Sequence, residues 1–139
     1  MRSTILVAAA LALGVAPARA ERPADFEAAF AAEARGADPA FAGFAAARGQ
    51  RFFAATHGGD WSCASCHGND PSAAGEHVVT GKRIEPLAPA ANPDRFTRPA
   101  SVEKWFKRNC NDVLKRPCTA HEKGDVLAWL MTSGAEGAR

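Results

Sequence analysis

Cys63-Ala64-Ser65-Cys66-His67 is the stretch from which the rest of this sequence is read. Its spacing puts two thiols within one helical turn and an imidazole directly after them. That is the arrangement through which a haem is joined by its vinyl groups and held by an axial histidine. Redox dithiols and zinc knuckles share the Cys-x-x-Cys half of the motif. No βαβ alternation surrounds the pentapeptide, however, and Cys110 and Cys118 are spaced too widely to form a second knuckle. His67 discriminates between these readings. The sequence predicts one haem c, bonded to Cys63 and Cys66, with His67 as its proximal iron ligand.

Upstream, residues 1–20 have the organisation of a secretory signal: Arg2, an apolar run over 5–15, and small residues in Ala18-Arg19-Ala20. The run is short for a membrane span and Pro17 follows it. Cleavage is expected after Ala20, leaving a domain over 21–139 in the periplasm that is not embedded in a membrane. The chain has 17 basic and 15 acidic residues, and Arg2 and Arg19 leave with the signal, so the exported part is formally neutral. With no basic run and no interleaved aromatic stripe, nucleic acid is not an expected partner. The 119 residues after Ala20 suit one domain with a modest core. An oxidising compartment favours a disulfide between Cys110 and Cys118, whose short loop would contribute about 2 to 3 kcal/mol in the chain-entropy model.

Helical spacing of Phe26 and Phe30 predicts a helix over 24–36. Asp38-Pro39 has the form of an N-cap and first helical residue. It predicts a second helix carrying Phe41, Phe44, Ala45, Arg48 and Phe52, with Phe53 beside them. Gly49, within that helix, suits a close crossing by the last helix, and a tolerated surface glycine is the alternative. His57 is too near Cys63 to reach the opposite haem face and reads as a surface residue.

Residues 68–99 contain five prolines and no sustained periodicity. Such a loop suits wrapping of the haem, with a carbonyl near Pro86-Leu87-Ala88-Pro89 accepting the Nδ1 proton of His67. Lys82, Arg83 and Arg95 are candidate partners for the haem propionates, or solvated surface charges. Ser101 is placed to cap a helix ending near 109 or 110, with Val102, Trp105, Phe106 and Asn109 at i, i+3, i+4 and i+7. Residues 111–117 are then expected to be the loop closed by the disulfide. Thr119-Ala120-His121-Glu122 matches a capping box opening a last helix, whose packing face is Val126, Trp129 and Leu130.

Helices at both ends with Cys-x-x-Cys-His between them resemble the all-α class I cytochrome c fold, where the terminal helices cross and a distal ligand precedes the last helix. That ligand is usually methionine. Here the one methionine after residue 20, Met131, lies within the last helix. His77 and His121 are alternatives. Asn109 shares a face with large apolar residues and adjoins Cys110, and on local grounds it serves equally as a helix C-cap.

Five segments sharpen the resemblance: Thr80-Gly81-Lys82-Arg83-Ile84-Glu85-Pro86-Leu87-Ala88-Pro89, Asn92-Pro93-Asp94-Arg95-Phe96-Thr97, Val102-Glu103-Lys104-Trp105, Arg108-Asn109-Cys110-Asn111 and Cys118-Thr119-Ala120-His121-Glu122-Lys123. From about Gly49 onward the chain resembles the sphaeroides haem protein family of class I cytochromes c. The resemblance implies Asn109 as distal iron ligand beside the Cys110–Cys118 disulfide. The related cytochrome c″ branch carries histidine at that position. An amide oxygen is a hard, neutral donor, better suited to ferric than to ferrous iron. The expected function is therefore electron transfer with binding of oxygen, carbon monoxide or nitric oxide on reduction. The redox partner would be another c-type cytochrome or a membrane cytochrome. A carrier with permanent His/His or His/Met ligation is the alternative. A peroxide- or nitric-oxide-detoxifying enzyme is another, for which His121 is the only distal acid–base candidate.

Overall fold

Phe26 and Phe30 sit one turn apart, and the helix that presents them organises one half of the core. The computed structural model describes residues 20–134, so the expected signal over 1–20 lies, but for Ala20, outside the described residues. Within these, the order is α1 (Pro23–Ala37), α2 (Ala46–Ala54), α3 (Cys63–His67), β1 (Gly75–Glu76), β2 (Arg83–Ile84), α4 (Pro99–Leu114) and α5 (Ala120–Thr132). In α1, Pro23 starts the helix and Arg22 and Asp25 form a reciprocal cap. Its buried Phe26 and Phe30 meet Val102 of α4 and Leu127 of α5, with Phe44, Phe96, Phe106 and Met131 at the margin.

A second cluster lies on the other side of α5. Phe53 of α2 packs with Val126, Trp129 and Leu130, and Cys63, Ala64, Leu87 and Phe96 pack against them. The last helix thus faces both clusters, which explains why Leu127 and Leu130 are its fully buried side chains. Thr119 accepts from the Glu122 amide at 3.2 Å and Glu122 Oε2 accepts from the Thr119 amide at 2.8 Å, closing the expected capping box.

Two boundaries differ from the sequence expectation. The second helix begins at Ala46, not after Asp38, because Asp38 ends α1 and folds an Asx turn onto the Ala40 amide at 2.8 Å. Gly43 then takes a φ of +113°, and the Ala45 amide is bound at 2.7 Å by the buried Asp125 carboxylate. That carboxylate also receives Arg48 Nε at 2.7 Å and Nη2 at 2.9 Å, so α5 fixes where α2 starts. Helix α4 is the second correction. Pro99 opens it after Arg98, leaving Ser101 inside the first turn, and it runs through Cys110 to Leu114 before a left-handed Lys115. Most of the expected disulfide loop is therefore the last turn of this helix. Between α3 and α4, the long segment forms a small antiparallel hairpin pairing Gly75 with Ile84 and Glu76 with Arg83.

Candidate haem site

Helix α3 is a single turn closed at both ends. Ser62 Oγ accepts from the Ser65 amide at 3.1 Å, Ser65 Oγ accepts from the Ser62 amide at 3.0 Å, and Gly68 turns the chain away at a φ of +73°. This staple holds Cys63 and Cys66 at i and i+3 as half-buried, free thiols, with His67 next to them. Cys63 and Ala64 lean on the Phe53 cluster, and the Phe53 ring stands 5.9 Å from that of His67.

The electrostatics separate the chemical possibilities. Burial pushes the Cys63 thiol up to about 11, the reverse of the depressed value that makes a Cys-x-x-Cys pair a reactive redox dithiol. Among the described residues the two thiols belong to no group of three or more His, Cys, Asp or Glu side chains placed to hold a metal ion. Burial, and then the Arg95 charge, push the His67 imidazole down to about 4. A neutral imidazole is the form that ligates iron. Among the described residues neither ring nitrogen has a hydrogen-bond partner. Two half-buried thiols one turn apart, a neutral imidazole beside them and an apolar bed beneath fit a covalently attached haem.

Of the carbonyls expected near His67, Ala88 O accepts from the Ala91 and Asn92 amides at 3.0 Å. Pro86 O accepts from Arg95 Nε at 2.9 Å and from Asn92 Nδ2 at 3.2 Å. Among the propionate candidates, Arg95 is half-buried, donates Nη2 to Glu85 O at 2.8 Å and is close enough to act on His67. Lys82 and Arg83 are exposed on the hairpin, and Arg83 pairs with Glu85 at 3.0 Å. Of the three, Arg95 is thus the one whose charge reaches His67.

Helix α4 carries the other candidate ligand. Val102 is buried and Phe106 meets Phe30 edge-on at 5.7 Å. Asn109, on the same face, is half-buried, mid-helix rather than a C-cap, and without a hydrogen bond among the described residues. Trp105 departs from that face and is 43% exposed. Next in sequence, Cys110 is bonded to Cys118 with Cα atoms 5.6 Å apart, tying α4 to the start of α5.

Each of the other candidate side chains has a contact of its own, the histidines through one ring nitrogen each. His77 Nδ1 accepts from the Val79 and Thr80 amides at 3.2 and 3.3 Å. His57 bonds Phe52 O at 2.8 Å. Arg48 Nη2 lies 2.8 Å from His121 Nε2; a guanidinium can only donate, so that nitrogen accepts. Met131 packs against the Phe26 and Phe30 cluster.

Sequence reasoning missed Gly75, where a Cβ would overlap the Cys66 carbonyl, leaving no room for a side chain. It missed Asp125 too, although an acid one turn after His121, directly ahead of the apolar run Val126-Leu127-Ala128-Trp129-Leu130-Met131, was a visible signal.

A family model described as a domain of unknown function, DUF1924, matches residues 39–130. The cytochrome c-type protein SHP of Cereibacter sphaeroides is 54% identical over 89 residues, covering 61% of this chain and 68% of that protein. A structure of oxidised SHP, described as an oxygen binding cytochrome c, superposes with a TM-score of 0.71 at 47% identity, covering 80% of this chain and 96% of that one. A solution structure of cytochrome c″ from Methylophilus methylotrophus, described as giving insight into haem-ligand detachment, gives 0.70 at 36% identity, covering 80% and 93%.

Proposed function

The chain belongs to the SHP family of cytochromes c and has their all-α fold, and from that premise we propose that it is an exported electron-transfer protein that binds a diatomic gas on reduction. In this reading residues 1–20 direct export to the periplasm. Cys63 and Cys66 would hold one haem c through thioethers, His67 and Asn109 would supply its iron ligands, and Arg95 would be the foremost partner for a propionate. When bound, the haem supplies an iron that alternates between ferric and ferrous states and accepts axial ligands.

The observation that carries the reading is the contrast between Asn109 and its rivals. One ring nitrogen each of His57, His77 and His121 is hydrogen-bonded and Met131 packs in the core, whereas the half-buried Asn109 amide has no hydrogen-bond partner among the described residues. Its oxygen is a hard donor that would match the ferric state better than the ferrous one, and among the described residues no hydrogen bond would hold it in place on reduction. Oxygen, carbon monoxide and nitric oxide are the expected ligands. Both named relatives fit this, one described as oxygen binding and the other through ligand detachment. Catalytic turnover is not part of the proposal, since the acid–base candidate His121 is engaged by Arg48.

Optical spectra of the ferric and ferrous protein, with and without carbon monoxide, for the wild type and Asn109→Ala, test it. Carbon monoxide is expected to shift the ferrous spectrum, and the substitution to shift the ferric one. A ferrous spectrum indifferent to carbon monoxide, or a ferric spectrum indifferent to the substitution, overturns it.

A further inference from the structure

One face of α4 is turned to solvent and is strongly basic. Lys104, Lys107 and Arg108 line a shallow open depression with Asn111 and Asp112. Glu103 leans away to Lys123 at 3.4 Å, and Asp112 meets Arg108 only at 3.9 Å with both side chains more than half exposed. Among the described residues, Lys104 and Lys107 have no acidic partner. At the edge of the depression stands Trp105, an indole 43% exposed, with Lys104 Nζ 5.3 Å and Arg108 Cζ 5.6 Å from its ring.

We propose that this face, with Trp105 as its anchor, is the docking surface for an acidic electron-transfer protein. Unpaired cations around a flat aromatic favour a carboxylate-rich partner, which they would steer before contact. Tryptophan and arginine are the residues that most often dominate interface energetics. The cations already stacked on the indole limit the ordering cost of burying it. Position gives the surface its purpose. Asn109 follows Trp105 by four residues and therefore adjoins it on the helix, so a partner seated here sits beside the side chain assigned as distal ligand. The location as an electron entry point rests on the cytochrome reading, and the effect on Asn109 rests on the proposed ligation.

The probe is reduced flavodoxin, an acidic one-electron donor that becomes oxidised as the cytochrome is reduced, with ascorbate as a small-molecule control. In stopped-flow at low salt, Lys104→Glu/Lys107→Glu is expected to slow reduction by flavodoxin at least tenfold and to flatten its salt dependence. Trp105→Ala is expected to slow it several-fold with the salt dependence retained. Reduction by ascorbate and the ferric spectrum should be unchanged, which shows that the variants are folded. Arg35→Glu/Arg51→Glu, on α1 and α2, makes the same change in net charge. An equal loss in that control, or unaltered flavodoxin rates in the α4 variants, overturns the proposal. So does loss of binding to phosphatidylglycerol vesicles with flavodoxin rates intact, which would make the face a lipid contact. The carbon monoxide spectra are independent of this result, so failure of the docking surface and failure of the Asn109 ligation are read separately.

Discussion

Gly49 of α2 lies directly on the main-chain carbonyl of Asp125 in α5, so that a Cβ on Gly49 would overlap that carbonyl and crowd the Val126 amide. Both obstacles are backbone, and neither can rotate aside. The crossing brings Phe53, one turn later, against Trp129 with ring centroids 5.0 Å apart. Alanine at an ordinary helical position improves on glycine by about 1 kcal/mol. Here the overlap reverses the sign, and Gly49→Ala is expected to destabilise by ~1 to 3 kcal/mol. Guanidinium unfolding monitored by circular dichroism reads it. A raised midpoint would mean that the helices separate without loss.

Gly75 makes the same kind of approach to the cofactor helix. A Cβ there would overlap the Cys66 carbonyl and come 2.8 Å from His67 Cα. Gly75→Ala must either lift the hairpin or tilt the turn that carries His67. The expected result is a loss of ~1 to 3 kcal/mol together with a changed Soret band, the second being the signature of a shift in His67, the proposed proximal ligand. Unchanged spectrum and unchanged midpoint together would show that the hairpin does not support His67.

The cofactor site was legible because its chemistry is local: Cys63, Cys66 and His67 are contiguous, and their turn needs only Ser62 and Ser65 to close it. The α5 cap was legible for the same reason, since Thr119 and Glu122 carry their hydrogen bonds within one turn. Illegible features depended on partners distant in sequence. Asp38-Pro39 has the form of a helix start, yet the start was moved to Ala46 by a carboxylate eighty residues away, on Asp125. Asn109 was readable as an odd polar residue on an apolar face. Only the fold separated it from a C-cap, by continuing α4 a further turn.

Glu122 gives a pH dependence of known sign. Hydrogen bonding to Arg116, at 2.7 and 2.8 Å, is the largest influence holding its carboxyl below the ordinary value, with the Thr119 amide adding to it. A carboxyl depressed in the folded state contributes stability that is fully present above the unfolded value of about 4.3 and is lost as pH falls through the folded one. Glu122→Gln is therefore expected to be less stable than wild type at neutral pH, by up to about 1 kcal/mol given the half-exposed Arg116. The two curves should converge below pH 4. A difference that persists in acid would assign the effect to the amide's cap geometry instead of charge.

The Cys110–Cys118 bond joins the end of α4 to the entry of α5 immediately after Asn109, so two separable effects are expected when both sulfurs are removed. Closing so short a loop in the unfolded chain is worth about 2 to 3 kcal/mol, and Cys110→Ala/Cys118→Ala should lower stability by about that amount. The second effect concerns position. Without the tether, the last turn of α4 is held to α5 by little, because Lys115 and Arg116 are exposed and the Arg116–Glu122 pair is half in water. If the disulfide serves to hold Asn109 against the iron, the ferric spectrum of the double variant moves toward that of Asn109→Ala, and the shift grows with temperature as the helix end frays. If the midpoint falls while the ferric spectrum stays at the wild-type position up to the unfolding transition, the bond stabilises the fold alone. Positioning of Asn109 must then come from the packing of Phe106 and Val102, one and two turns earlier.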